Sequence, residues 1–300
     1  SGGGIAAIGV LIDSTIVSGN RAGHATSPAG RGGGLSLETE SPLDSVIRNS
    51  LFIGNSATGT GGAITSSPRL SEIVNTTISG NLAASGGGIW ATRLGPVTLR
   101  HSTVTGNMAT TGVGGVYSNV LLDHSIVAGN HSPLATNADV QTYHANSRHS
   151  LIGYTGFSPP GLPPVDGGPD ANGNLVGGPG RGAVDPRLGP LADNGGPTLT
   201  HALLPGSPAI GAGDPALAPG HNGVPEFDQR GAPFTRLAGA RIDIGAYELQ
   251  PDGGTLNADF DFNGLVDGGD FLLWQRNLGR TAGATLRHGD ATADGDVDLH

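Results

Sequence analysis

Apolar and polar residues recur along the first 130 residues in register with a repeated Gly-Asn dipeptide, whose asparagines are Asn20, Asn55, Asn81, Asn107 and Asn130. An apolar residue stands three positions before each asparagine, at Val17, Phe52, Ile78, Val104 and Val127. Another stands eight positions before it, at Ile12, Ile47, Ile73, Leu99 and Leu122. The intervals of 35, 26, 26 and 23 residues between the asparagines are typical of a repeat protein.

Two further columns complete the repeat. Hydroxyl residues lie five positions before each asparagine, at Thr15, Ser50, Thr76, Ser102 and Ser125, and aliphatic residues follow glycine clusters at Ile5, Leu35, Ile64, Ile89 and Val116. The apolar positions lie too close to glycines for helices and lack a helical period, so they predict short strands. Because alternate strand residues share a face, we assign the columns three and five positions before the asparagine to the interior.

Bends must separate these strands, and Gly and Asn are expected to supply their left-handed backbone. Several short strands in a turn of about 25 residues are typical of a parallel β-helix, whose strands stack about 4.8 Å apart from coil to coil. The sequence therefore predicts an all-β fold, a right-handed parallel β-helix (solenoid) over residues 1–250. Its regular coils occupy residues 1–130, and its closing coils and loops occupy residues 131–250. Within the second part, one further coil strand is predicted at residues 149–153.

One polar column allows both a structural and a chemical interpretation. Six positions before the asparagines lie Ser14, Asn49, Asn75, His101 and His124. We expect a bend here, with side chains hydrogen-bonded from coil to coil; the alternative is a catalytic or metal-binding pair of His101 and His124. The insertion between Asn20 and Gly32 contains Arg21, His24 and Arg31. It is predicted to be a surface loop, with a ligand-binding face as the alternative.

The composition narrows the possible core and partners. Hydrophobic residues make up 36% of the chain but aromatic residues only 4%, so the core must consist of small aliphatic side chains in thin layers. There is no Cys, which excludes disulfides, and no apolar run long enough to span a membrane. The net charge is −10, and residues 251–300 carry nine of the 25 acidic residues. This acidic tail indicates metal binding and argues against nucleic acid as a partner.

The acidic tail has the spacing of a calcium-binding loop. Ca²⁺ takes six to eight oxygen ligands, and the EF-hand arrangement supplies them from positions 1, 3, 5, 7, 9 and 12 with a glycine at position 6. Here the ligand positions are Asp259, Asp261, Asn263, the Leu265 carbonyl, Asp267 and Asp270, and the glycine is Gly264. We expect a Ca²⁺ site, the alternative being an acidic solvated linker. Phe271, Leu272, Trp274, Gln275 and Leu278 then predict a short amphipathic helix that ends at Gly279.

A second copy of the loop starts 31 residues later and places Asp290, Thr292, Asp294, Asp296 and Asp298 at ligand positions. Its twelfth position falls beyond residue 300, so we expect weaker binding there. The duplicated loop-helix unit resembles a type I dockerin. The resemblance implies a small α-helical calcium-loop module over residues 251–300, with a cohesin-like or cell-surface scaffold as its partner. Since both ends fall inside repeats, the chain is expected to be an internal fragment that lacks its signal peptide.

Three motifs between the regular coils and the tail resemble a known family. They are VDPRLGPLADNGGPTLTHALLPGSPAI at 184–210, DQRG at 228–231 and DIGAYE at 243–248. They are similar to bacterial surface proteins with a choice-of-anchor β-helix domain. The resemblance implies an extracellular or cell-surface location and supplies no catalytic residue. Because unpaired buried charge is costly, we expect Asp228, Arg230 and Asp243 to form a buried ion-pair cluster that closes the last coils, with catalysis as the alternative.

Two classes of function fit these features. The favoured one is a non-enzymatic adhesive, structural or carbohydrate-interacting surface protein, since acidic residues are few in residues 1–130. The other is a polysaccharide lyase or glycoside hydrolase acting on extracellular polysaccharide. Its candidate catalytic residues are Asp13, Arg48, Arg100 and Asp123, which lie seven positions before the asparagines in a column that Val74 interrupts. Alternating charges on a solvated face explain this column more simply.

Overall fold

The structure is a computed structural model in which the chain divides into two compact units, Ser1–Leu249 and Gln250–His300. The first unit is a parallel β-solenoid of about five turns, and the second contains one short helix, α1 (Gly268–Asn277). The structure describes residues 2–23, 30–37, 45–66, 70–92, 97–133, 139–141, 147–155, 164, 168–250, 260, 268–281, 283–284, 288–290 and 296–297. The parallel solenoid predicted from the repeat is confirmed.

Four parallel sheets run along the solenoid. The first contains β1 (Ile5–Ala7), β5 (Leu35–Leu37), β9 (Ile64–Ser66), β13 (Ile89–Ala91), β17 (Val116–Tyr117) and β20 (Val140–Gln141). The second contains β2 (Leu11–Asp13), β6 (Ser45–Arg48), β10 (Leu70–Val74), β14 (Val97–Arg100) and β18 (Val120–Asp123). The third contains β3 (Ile16–Ser18), β7 (Leu51–Ile53), β11 (Thr77–Ser79), β15 (Thr103–Thr105), β19 (Ile126–Val127), β21 (Leu151–Ile152) and β22 (Leu175–Val176). The fourth contains β4 (Arg21–Ala22), β8 (Ser56–Ala57), β12 (Leu82–Ala83) and β16 (Met108–Ala109).

The strand register brings the sequence columns together. Ile12, Ile47, Ile73, Leu99 and Leu122 are register partners on successive strands of the second sheet. Val17, Phe52, Ile78, Val104 and Val127 are register partners on the third sheet. All ten belong to one buried apolar cluster. Since burial of such a side chain contributes about 1.5–3 kcal/mol, this core is the main source of stability for the stacked coils.

The bends between the second and third sheets are left-handed, as the polar column predicts. Ser14, Asn49, Asn75, His101 and His124 have φ values of 48°, 52°, 47°, 47° and 52°. The glycines of the Gly-Asn dipeptides also have positive φ. Their asparagines do not, so the prediction of left-handed backbone was wrong for Asn20, Asn55, Asn81, Asn107 and Asn130. These residues are needed for their side chains, which form a ladder inside the solenoid.

In the asparagine ladder each Nδ2 donates to the Oδ1 of the asparagine in the next coil, at 2.8–3.0 Å. The same Oδ1 also accepts the backbone N–H of the preceding asparagine. Because every asparagine donates to the residue of the next coil, the last residue of the ladder only needs to accept hydrogen bonds. Asp139 fills this position: one oxygen accepts both groups of Asn130 at 2.8 Å, and the other accepts the Tyr154 N–H at 2.8 Å. Burial nevertheless raises the pKa of Asp139 to about 6.

Residues 186–249, here named the lateral cap, pack against the outer face of the third sheet. The cap begins with an antiparallel hairpin of β23 (Leu188–Ala192) and β24 (Thr200–Leu203). Leu203, Ala209 and Ile244 of the cap form a second apolar cluster with Ile126 and Leu151 of the solenoid. The outward Ile16 of the first coil is 48% exposed whereas Ile126 is fully buried, so the cap covers the later coils.

Candidate functional site

The candidate catalytic residues lie in one row on the outer face of the second sheet. The register pairs Asp13 with Arg48, Arg48 with Val74, Val74 with Arg100, and Arg100 with Asp123. An isolated bridge adds Arg148 after Asp123. Asp13 and Arg48 form an exposed ion pair at 2.9 Å. Arg100 pairs with Glu72 at 2.9 Å and with Asp123 at 3.2 Å, so charges alternate along the solenoid axis.

Asp123 is the most constrained member of this charged row. Arg148 contacts it through Nε at 3.0 Å and Nη2 at 2.7 Å, Arg100 through Nε at 3.2 Å and His124 through Nδ1 at 2.6 Å. Burial alone would raise the pKa of this carboxyl, but the bonds from His124 and Arg148 hold it well below its ordinary value. A carboxylate has about four acceptor positions, so Asp123 has none left for a substrate proton.

The spacing of the row also limits its chemistry. Asp13 and Asp123 are separated by four strand steps, which corresponds to about 19 Å at the usual strand spacing. A glycosidase needs two carboxyl groups about 5–10 Å apart. Glu72 and Asp123 lie closer, because both bind Arg100. The row can stabilise the stacking of coils. Among the described residues, Asp123 of the row and the neighbouring Glu72 are the two carboxylates that bind the same arginine, Arg100.

The predicted coil-to-coil hydrogen bond is present between Asn75 Nδ2 and Asn49 Oδ1 at 3.2 Å, but the prediction was wrong for His101 and His124, whose rings stack instead. Their ring centroids are 5.1 Å apart, and the His124 and His149 centroids are 5.2 Å apart. The three residues, here named the histidine column, occupy consecutive left-handed bends, since His149 has φ 43°. No group of three or more His, Asp or Glu side chains that could hold a metal occurs in the part of the chain that the structure describes.

The cap holds the predicted cluster of buried charges, with one difference. Arg230 Nη2 binds Asp228 Oδ2 at 2.6 Å, and Nε contacts both carboxylate oxygens. The guanidinium lies between two aromatic rings, 3.8 Å from the Phe234 centroid and 3.9 Å from that of Tyr247. Asp243 was expected to join this ion pair. It instead accepts the backbone N–H groups of Gly211 and Leu249, each at 2.7 Å, because the path of the cap brings these two amides to its carboxylate.

Arg236 and Glu248 connect this cluster to the solenoid. Arg236 is fully buried; its Nη2 donates to Asn75 Oδ1 at 2.5 Å and its Nη1 lies 3.9 Å from Glu248 Oε2. Burial and the negative charge of Asp243 raise the pKa of Glu248 to about 8. The raised pKa favours the neutral form of Glu248 beside the Asp243 carboxyl.

Most predicted calcium ligands lie outside the described residues: Asp259, Asp261, Asn263, Leu265, Asp267, Thr292, Asp294 and Asp298. Asp270 and Asp290 are buried, and Asp270 Oδ1 accepts the Phe260 N–H at 2.6 Å. In the predicted loop, Phe260 is position 2 and Asp270 position 12, so this bond connects two positions of the predicted loop. Asp296 is half-buried.

The helix that follows the predicted loop ends close to the predicted position, but its side chains are less buried than an amphipathic helix implies. α1 ends at Asn277, close to Gly279, which has φ 86°. Phe271 and Leu272 are each 57% exposed, and Asp270 is the one buried residue of the helix. The amphipathic pattern is therefore present in the sequence, whereas in the described part of the second unit Leu273 and Trp274 are half-buried and Phe271 and Leu272 face solvent.

Sequence reasoning missed several residues of these sites. Arg148 and His149 lack the Gly-Asn spacing, although Arg148-His149-Ser150 repeats Arg100-His101-Ser102 and would have shown the register. Arg236 and Glu248 carry no repeat signal, because their partners are brought together by the path of the cap.

No family model, curated protein or solved structure matches this chain. Within the described residues, no helix is both long and apolar enough to cross a membrane.

Proposed function

We propose that this chain is a non-enzymatic extracellular or cell-surface protein, in which the solenoid acts as a rigid spacer or carbohydrate-interacting surface. The observation that carries this proposal is the saturation of Asp123 by His124, Arg100 and Arg148. A carboxylate with a depressed pKa and no open acceptor position suits a structural ladder rather than acid–base catalysis.

We also propose that the second unit is a dockerin-like module that binds Ca²⁺ and attaches or sorts the protein through a cohesin-like or cell-surface scaffold. The fit rests on the donor set, which offers carboxylate, amide and carbonyl oxygens in EF-hand order. The bond between Asp270 and the Phe260 N–H supports a closed loop. Asp259, Asp261, Asn263, Asp267 and Asp270 with the Leu265 carbonyl would hold the ion.

The alternative is a polysaccharide lyase or glycoside hydrolase, and one contact favours it. Glu72 and Asp123 both bind Arg100 on the outer face of the solenoid, and the Arg100 side chain is 23% exposed. Glu72, Asp123 and Arg100 would then contact an acidic or neutral polysaccharide that lies across the second sheet.

A polysaccharide screen on the intact chain separates the two classes. We expect no release of reducing or unsaturated sugars, with Ca²⁺ or with chelator, and no change when Glu72 is replaced (Glu72→Gln). Cleavage that Glu72→Gln abolishes and Glu226→Gln preserves would establish the enzyme, because Glu226 lies in the cap rather than in the charged row.

Isothermal titration tests the calcium site. The intact chain is expected to bind Ca²⁺, and Asp261→Ala is expected to weaken binding at least tenfold because it removes a charged ligand. Asp252→Ala, which changes the charge equally outside the loop, serves as the control. Equal binding by the two variants would reject the assigned ligands.

A further inference from the structure

The lateral cap is seated on the histidine column. The backbone N–H of Gly245 donates to the His124 carbonyl at 2.9 Å, and that of Asp214 donates to His124 Nε2 at 2.9 Å. His149 Nδ1 lies 3.2 Å from the Ala212 carbonyl. Gly213 has no room for a Cβ, which would meet Ile242 and the His124 ring. The imidazole rings are therefore part of the surface that receives the cap.

The contacts of His124 fit only a neutral ring. The Asp123 carboxylate, which only accepts, lies 2.6 Å from Nδ1, so Nδ1 carries the proton. The Asp214 N–H, which only donates, points at Nε2, so Nε2 must be the acceptor. A second proton on Nε2 would place a donor against a donor and remove one of the bonds that hold the cap.

His101 is less able to accept a charge. It is completely buried, and neither ring nitrogen has a hydrogen-bond partner within the described residues. The charged and titratable groups that face it are Arg236 from the cap and Arg100, Asp123 and His124 from the solenoid. Since Asp123 is already saturated, an imidazolium at His101 would be buried beside two arginines without an acceptor.

We propose that the histidine column makes docking of the lateral cap acid-sensitive: neutral rings hold residues 209–249 against the solenoid, and their protonation releases this segment. The opened face carries Thr77 and Thr103, whose side chains now bind Gln229 and the Ala246 N–H. The core of the solenoid remains closed, because its apolar cluster is separate from the one beneath the cap.

The direction follows from the burial of the rings. Burial lowers the pKa of His101 well below its ordinary value, and burial lowers that of His124 despite the opposing bond from Asp123. The favourable contribution of these histidines to the free energy of docking is therefore fully present above pH about 6.5. It is lost as pH falls through the pKa values that the histidines have in the docked state. Each histidine changes the docking equilibrium by up to about tenfold per pH unit.

Other groups at the same interface titrate in the opposite direction. Burial raises the pKa values of Asp243 and Glu248, so these carboxyls favour docking as pH falls. Arg148 also faces His124, and Asp228 and Arg230 surround Arg236. A variant without the titrating histidines is needed to separate their effect from that of the carboxyls, and asparagine is a suitable replacement. The same bend column holds Asn49 and Asn75 at φ 52° and 47°, so asparagine fits the left-handed backbone of His101.

Hydrogen exchange of the full chain tests the proposal, comparing wild type with His101→Asn and with His101→Asn/His124→Asn. The amides of Asp214, Gly245 and Ala246, corrected for intrinsic exchange rates, report docking. Between pH 7.5 and 5.5 we expect their exchange to accelerate at least tenfold more in wild type than in the double variant, with His101→Asn between them. The amides of Ser56 and Met108 in the fourth sheet, which donate to the Asn20 and Asn81 carbonyls, should keep their protection. An equal pH response in wild type and variants, or equal acceleration at Ser56 and Met108, would overturn the proposal.

A second measurement needs no variant. Histidine ¹⁵N NMR of the wild type should show His124 with its proton on Nδ1 at pH 7.5. Its protonation should coincide with exposure of the Asp214 amide. A His124 imidazolium with the Asp214 amide still protected would contradict the proposal.

Discussion

Arg230 shows how one residue can stabilise an otherwise irregular segment. Its guanidinium combines a bidentate bond to Asp228, a bond to the Glu248 carbonyl at 2.7 Å and two aromatic faces. The DQRG motif therefore encodes a structural centre of the cap. Lysine keeps the charge but provides neither the planar fork nor the stacking surface.

Arg230→Lys is therefore expected to lower the free energy of unfolding by about 1.5–3 kcal/mol, the range for a lost hydrogen bond to a charged group. Urea denaturation at pH 7 measures the loss. Arg21→Lys, at the exposed position of β4, is the control and should change stability by less than about 0.5 kcal/mol. A loss at Arg230 no larger than that at Arg21 would disprove the central role of this guanidinium.

Glu248 gives a second prediction at the residue scale. Because its folded pKa of about 8 lies above its ordinary value of 4.5, its contribution is complete below pH 4.5 and is lost as pH rises through 8. Between these limits wild type should lose about 1.4 kcal/mol per pH unit relative to Glu248→Gln, which cannot ionise. Unfolding curves of both proteins from pH 5.5 to 8.5 give the difference; a pH-independent difference would show that Glu248 is ionised in the folded state.

The asparagine ladder is the clearest element-scale device. Asn81 accepts two bonds from Asn55 and donates to Asn107 Oδ1, the Phe52 carbonyl and the Ser79 carbonyl. Its removal takes hydrogen bonds away from buried groups in two neighbouring coils. A buried group without a partner costs about 1–3 kcal/mol.

Asn81→Ala is expected to destabilise the solenoid by about 3 kcal/mol, summed over the groups that lose partners. Asn20→Ala removes the same side chain from the first coil, which has a ladder neighbour on one side within the described residues, and should cost about half as much. Chemical denaturation compares them. Equal losses at the two positions would mean that the ladder does not act cooperatively along the solenoid.

The repeat predicts the solenoid because each column has one physical character. The apolar column of Val17 was predicted to be buried and the polar column of Ser14 to lie in bends, and neither prediction depends on the length of the loops between coils. The same reasoning could not find Asp139, since it reaches the ladder nine residues after Asn130 rather than one coil later. It also could not place Asp243 or Arg236, because their environment depends on the path of the cap over the third sheet.

At the scale of the whole molecule, the two compact units have different sources of stability. The first has an extended apolar core and internal ladders, so we expect it to fold without a metal. In the second, the described helix buries no apolar side chain of its own, and small domains with little core commonly rely on bound metal. Calcium should therefore order the second unit and leave the first unchanged.

Hydrogen exchange of the intact chain with saturating Ca²⁺ and with chelator tests this account most directly. We expect Ca²⁺ to slow exchange across residues 259–281 at least tenfold and to leave β1 to β22 and the lateral cap unchanged. No protection in the second unit, or calcium-dependent protection of the solenoid strands, would contradict a calcium-independent spacer that carries a calcium-controlled attachment module.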